Sequence, residues 1–305
     1  MLTEQARTIC RPQYFQKNSS TKKGEQKMRW RHFFGIAVVA ACLIVAAVVA
    51  AQDDRSGRVI RVKGSNAMAG LCNEWGQAFA AANPGISVVV TGGGTDQGFD
   101  ALFEKGADLV MASRKVLEKE QQAAALSNCT LGESETCRGL VAFITHPTNT
   151  VKELTLEQLG GILRGKVGNW KEVGGSDAPI TIITNPQTSG TAMLLRQKVL
   201  DNDFFSSNAH VRAFYHGIVT ELSRKKPPAL AYVPYRDAQK AEQANQVKIV
   251  GIRADSGGQA VMPSPATLKD GSYPIVIPLY FYWDQATARP VVKKFVDFCK
   301  GKCEG

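Results

Sequence analysis

Apolar residues along this chain follow two rhythms, short runs of five or six and longer stretches that repeat every three to four. Residues 58–62 alternate as a strand, and Met68, Leu71, Cys72, Trp75 and Phe79 then fall on one face of a helix. Asn83-Pro84-Gly85 predicts a turn and residues 86–91 a second strand. Gly92-Gly93-Gly94-Thr95 opens the next helix, with Phe99, Leu102 and Phe103 as its apolar positions. Residues 108–112 read as a third strand, ending in Ser113-Arg114. Strand repeatedly gives way to helix through Gly, Ser or Thr, the rhythm of a parallel sheet. In such sheets the loops after the strands gather on one edge, where ligands bind.

The pattern continues through the second half. Residues 139–146 form an apolar strand that leaves the first lobe. Residues 155–163 read as a helix in which Thr155 and Gln158 form a capping box. Residues 180–183 are a β-branched strand, and Met193, Leu194, Gln197 and Leu200 start an amphipathic helix. A longer helix is read over 209–224, ended by Pro227-Pro228, with strands over 229–233 and 247–252. Residues 273–277 lead into 279–283, where Phe281 and Trp283 share a face and pack in the core, and a last helix covers 290–299.

Between strand 180–183 and the helix after it lies Thr188-Ser189-Gly190-Thr191. A helix start presents free N–H groups and partial positive charge, glycine lets another group approach, and the hydroxyls add donors. That combination holds an oxyanion. It also describes an ordinary N-cap serine that binds nothing.

Composition narrows the classes. The chain has 305 residues, 44% hydrophobic and 21% charged, as expected of a globular protein. Of the formal +10 charge, +6 belongs to residues 1–32, with eight Lys/Arg against Glu4 and Glu25, so the rest carries only +4. That balance gives no case for nucleic acid. Four histidines without HExxH or CxxC spacing argue against a metal site, and His210 and His216 are read as lying on one helix.

Residues 33–51 are apolar and uncharged between basic residues and Gln52-Asp53-Asp54-Arg55, a signal-peptide core cut after Ala51 or an uncleaved anchor. Either topology places the chain beyond Ala51 outside the cytoplasm. Cys129 and Cys137 flank the polar segment 130–136, which suits a disulfide in an oxidising compartment. Cys299 and Cys303 could pair only if Gly301 breaks the last helix, and Cys72 is read as a leftover, buried thiol.

Gly64-Ser65, Gly92-Gly93-Gly94-Thr95, residues 111–114, residues 154–159, residues 165–170, Ser189-Gly190-Thr191 and Tyr273-Pro274-Ile275 resemble, in order and spacing, PstS-type phosphate-binding proteins. These are exported substrate-binding subunits of phosphate ABC transporters, and the resemblance covers about residues 58–300. It implies an α/β, two-lobed type II periplasmic-binding-protein fold. Each lobe is a mainly parallel sheet flanked by helices, and two crossover strands join them. Lobe one would be 58–144 with 273–305, and lobe two 145–272. The anion would meet Ser65 with Asn66, Thr95, Asp96, Ser113 and Arg114 from lobe one, and Ser189, Gly190 and Thr191 from lobe two. Arg114 would supply charge and a two-pronged donor, its alternative being an arginine tied up in an ion pair. Asp96 would either accept a proton from phosphate or serve as a favourable charge at a helix start. The chain departs from the resemblance at Asn185, where an arginine is common, at Ala67, where a hydroxyl is, and at Asp96.

The resemblance implies inorganic phosphate as ligand and ABC permease subunits as partner, with a monomer and no cofactor, metal or catalytic residue. A membrane-tethered sensor or scaffold with another ligand or none is the alternative. A phosphatase is disfavoured because hydrolysis needs an activated nucleophile or a metal.

Overall fold

A computed structural model of the chain describes residues 57–224, 228–300 and 302. Strand β1 (Val59–Gly64) runs parallel to β2 (Ser87–Thr91) and to β3 (Leu109–Ala112), so Val62 lies between Val90 and Leu109. Helix α1 (Asn66–Ala82) and helix α2 (Thr95–Phe103) are the connections between these strands. Helix α3 (Glu118–Leu126) comes next, and then β4 (Leu131–Thr145), the longest strand.

The second half repeats the layering. It contains β5 (Glu153–Thr155), α4 (Leu156–Leu163), a 3-10 turn at Trp170–Val173, β6 (Thr181–Thr184) and α5 (Gly190–Val199). After these come β7 (His210–Val211), α6 (Tyr215–Arg224), β8 (Ala229–Pro234), α7 (Tyr235–Gln243) and β9 (Lys248–Arg253). The short helix α8 (Pro265–Lys269), β10 (Val276–Asp284) and α9 (Pro290–Cys299) complete the described chain. The sheet order is β2-β1-β3-β10-β4-β8-β6-β7, with β9 joining β4 to β5. Parallel strands at both ends meet antiparallel β10 and β4 in the middle.

Helices cover both faces of this mixed sheet. Phe79 of α1 packs edge-on against Phe295 and Phe298, each ring centroid 5.2 Å away. Phe99 and Leu102 of α2 cover Val110, Tyr280 and Tyr282 on the other face. Ile218 and Leu222 of α6 and Ala238 of α7 cover Ile144, Ile183 and Val233. Fully burying one such side chain contributes roughly 1.5–3 kcal/mol, which holds each helix to the sheet. The capping box expected at Thr155 forms, with Thr155 Oγ1 3.0 Å from Gln158 N and Gln158 Oε1 2.9 Å from Thr155 N.

Strand β4 changes partners along its length. Residues 131–140 pair with β10, and 141–145 pair with β8. The segment entering β10 crosses at the same level, where Val141 N donates to Ile275 O at 3.1 Å and Tyr273 Oη donates to Val141 O at 2.8 Å. Tyr273 is buried. Tyr273→Phe is expected to cost about 1–2 kcal/mol in urea unfolding, the worth of one buried hydrogen bond whose acceptor is left unmet.

Three sequence expectations need correction. Residues 130–136 are not a loop between two cysteines, because β4 runs unbroken from Leu131. Eight residues of extended chain put Cys129 and Cys137 roughly 25 Å apart, far beyond disulfide reach. Cys129 is a free thiol, as are buried Cys72 and Cys299, whereas Cys137 is disulfide-bonded. The helix read over 209–224 starts only at Tyr215, and His210 belongs to β7 instead. Helices α3 and α7 were not anticipated from the hydrophobic pattern. Residues 1–32 and 33–51 and Cys303 lie outside the described residues, and among those described no helix is long and apolar enough to cross a membrane.

Candidate functional site

Four helices begin at one cleft of about 170 Å³. This is well below the roughly 300–1,000 Å³ of sites for drug-sized ligands, so it suits a small ion. The backbone brings the helix starts together. Gly94, before α2, has φ +135°, a conformation open to glycine, and its N–H donates to Gly64 O at 3.0 Å. Ser65 caps α1, its Oγ accepting from Ala67 N at 3.3 Å, and Ser189 caps α5, its Oγ accepting from Ala192 N at 3.2 Å.

Hydroxyls line the cleft between these ends. Ser65 Oγ donates to Ser113 Oγ at 2.8 Å, and Ser113 N donates to Thr95 Oγ1 at 3.3 Å. Ser65, Thr95 and Ser113 are all buried. From the facing side, Thr191 Oγ1 and Tyr215 Oη lie 2.9 Å apart. Burial pushes the Tyr215 phenol far above its ordinary range, so it stays neutral and bonds as a hydroxyl. Gly190 sits directly against Ser113, where a Cβ would lie 2.7 Å from the Ser113 carbonyl oxygen. Asn66 ties the sides together. Its Oδ1 accepts from Gly93 N at 3.0 Å, and its Nδ2 donates to Ala213 O at 2.8 Å.

Eight of the nine residues expected from the sequence line this cleft: Ser65, Asn66, Thr95, Asp96, Ser113, Ser189, Gly190 and Thr191. The ninth, Arg114, does not. Its Nη1 donates to Glu120 Oε2 at 2.8 Å and its Nη2 to Glu120 Oε1 at 2.6 Å, a buried two-pronged pair. Among the described residues the cleft wall therefore contains no lysine or arginine, and Asp96 is its one charged residue. Thr188, the first residue of the motif before α5, lines it as well, and so do Tyr215 and Gln97, which the sequence pattern does not single out. Asn185 lines it too, held by Nδ2 donating to Arg212 O at 3.0 Å and by its backbone N donating to Tyr232 Oη at 3.3 Å.

These groups offer hydrogen bonds and the fields of helix ends. Among the described residues no histidine or cysteine lines the cleft to act as nucleophile or base. The first N–H groups of a helix have no partner inside it, so four converging helix starts make a donor-rich, electropositive wall without cationic side chains.

Comparison with known proteins agrees with this geometry. Residues 48–300 match the family described as a PBP superfamily domain. The chain is 24% identical over 278 residues to the phosphate-binding protein PstS of Staphylococcus saprophyticus, covering 89% of this chain and 85% of that one. With PstS of Bacillus subtilis the identity is 23% over 250 residues, 82% and 78% of the two chains. A structure described as a phosphate ABC transporter substrate-binding protein with bound phosphate, from Clostridium perfringens, superposes with a TM-score of 0.68 at 26% identity, covering 79% of this chain and 92% of that one. The chain thus belongs to the PBP superfamily domain family, and its α/β architecture is the type II periplasmic-binding-protein fold.

Proposed function

We propose that the protein binds inorganic phosphate in this cleft and delivers it to an ABC-type permease. The observation that carries the reading is the meeting of four helix starts and seven hydroxyl-bearing residues on a cavity sized for a small anion. A desolvated oxyanion needs many N–H and O–H donors, and this wall supplies them. The PstS names of the relatives and the bound phosphate of the Clostridium perfringens structure support the same ligand.

Delivery needs opening and closing. We assign lobe one to residues 58–144 with 273–305 and lobe two to 145–272, with β4 and the 273–275 segment as the crossovers. Ser65, Asn66, Thr95, Asp96 and Ser113 then face Ser189, Gly190 and Thr191 across the cleft. Asn66 to Ala213, and Glu74 to Arg236 and Lys240, are contacts that hold the closed form. Hinge closure of this kind exchanges solvent for protein donors around the ligand. Residues 33–51 serve export, as signal peptide or as tether, and the receptor acts as a monomer.

The test is calorimetric titration of anion-stripped protein with phosphate, and separately with sulfate. One phosphate per chain with no sulfate heat is the expected result. Silence with both anions would sink the reading and leave the tethered-sensor alternative.

A further inference from the structure

We propose that Tyr215 is a positioning residue for the oxyanion: its hydroxyl donates to Thr191 and so turns the Thr191 hydrogen onto the ligand. The inference rests on the oxyanion reading above.

The geometry places the two hydroxyls together and leaves them to each other. Thr191 lies in the first turn of α5, and Tyr215 is the first residue of α6. Both are buried and both line the cleft, with Oγ1 and Oη 2.9 Å apart. Among the described residues neither hydroxyl has another hydrogen-bond partner. The Tyr215 ring belongs to the core cluster of Ile183, Ile218, Leu222 and Val233, so packing fixes where its Oη stands. The Thr191 hydroxyl is not fixed in that way, because a helical threonine divides between two rotamers. The bond to Tyr215 selects one of them.

The direction of the bond follows from what an anion needs. Each hydroxyl has one hydrogen to give. If Thr191 donated to Tyr215, it would turn lone pairs on the ligand. With Tyr215 as donor, the Thr191 hydrogen is left for the oxyanion. The phenol is also the stronger acid of the two and hence the better donor. A chain from Tyr215 through Thr191 to the oxyanion polarises one way, each bond strengthening the next. Burial pushes the phenol far above its ordinary range, so the donor keeps its hydrogen. The facing side repeats the device: Ser65 Oγ donates to Ser113 Oγ at 2.8 Å, which leaves the Ser113 hydrogen to give. Thr191 and Tyr215 both fall in lobe two as assigned above. Their bond therefore does not wait for closure, and Thr191 is ordered before the ligand arrives.

The test is a double-mutant cycle read by phosphate calorimetry on the full protein, with ligand-free melts to check folding. Tyr215→Phe is expected to raise the Kd by about three- to ten-fold, the worth of one neutral hydrogen bond. Thr191→Val loses the bond to the anion itself and is expected to raise it by at least about ten-fold. The double variant should bind no more weakly than Thr191→Val alone. Thr191→Ser, which keeps the hydroxyl, should restore the dependence on Tyr215. An unchanged Kd in folded Tyr215→Phe would overturn the proposal, since Tyr215 would then be packing only. So would additive losses, or a Tyr215→Phe loss to which Thr191→Val adds nothing, since either would place Tyr215 on the anion directly. Should Tyr215→Phe fail to fold, 3-fluorotyrosine at position 215 keeps the bulk and strengthens the donor. It is expected to lower the Kd, and to do nothing in the Thr191→Val background; an effect that persists there would overturn the proposal. No phosphate binding by the unaltered protein would instead overturn the phosphate reading, and this inference with it.

Discussion

Gly190→Ala is expected to weaken phosphate binding by at least about 100-fold, some 2.7 kcal/mol, without lowering the melting temperature. The new Cβ would stand 2.2 Å from Ser113 Oγ, 2.7 Å from Ser113 O and 2.9 Å from Ser113 C. The hydroxyl can rotate away, but the carbonyl belongs to the turn after β3 and cannot. The clash lies where the start of α5 meets that turn, an approach that belongs to the closed form in the reading proposed above. Opening along that division would relieve it, and alanine favours a helix over glycine by up to about 1 kcal/mol. Stability and affinity should therefore move in opposite directions, which an ordinary packing defect would not do. Calorimetry gives the affinity and a ligand-free thermal melt gives the stability. Full affinity in the variant would mean that binding does not require this approach of α5 to Ser113.

The parts of this architecture that read clearly from the sequence are those where one face is apolar and the other is not. Met68, Cys72, Trp75 and Phe79 are all buried along α1, as their spacing requires. The cleft residues were legible because strand, small-residue turn and helix recur, and each turn leaves its hydroxyls at a helix start. Where the physics departs from that pattern, the reading failed. In the first half of β4 the buried positions are Gly132, Ser134 and Thr136, so the alternation is present but carried by small and polar residues. A period of two without hydrophobic side chains looks like a polar loop, and the supposed cysteine pairing came from that. Tyr215 was hidden differently. No Gly or Pro separates β7 from α6, so the two merged into one long helix and a helix start at the cleft went unseen. Arg114 carried a local signal for its partner, since Glu120 also accepts from Leu117 N at 2.9 Å, three residues before it, the acidic half of a capping box.

That partner has the largest expected effect on stability. Glu120→Ala is expected to cost about 3–5 kcal/mol, because it strands the Arg114 guanidinium in a site that excludes water. Side-chain exposure is 9% for Arg114 and 6% for Glu120, so solvent screens little of their attraction. In a domain of this size each kcal/mol lowers the melting temperature by roughly 2–4 °C, so the drop is large enough to see in a simple melt. Removing both charges should behave differently. Arg114→Met with Glu120→Leu deletes the desolvation cost along with the attraction, and such replacements are often near neutral. The unmet Leu117 N–H leaves a residual cost of about 1–3 kcal/mol. The double variant also settles what Arg114 does for the ligand. Arg114 does not line the cleft, and its Nη atoms are spent on Glu120 and on Lys115 O. Phosphate affinity in the folded double variant should therefore stay within a few-fold of wild type. Loss of binding there, with the fold retained, would show that Arg114 leaves Glu120 for the anion when the cleft is occupied. The site's charge would then come from a side chain, and not from helix ends alone.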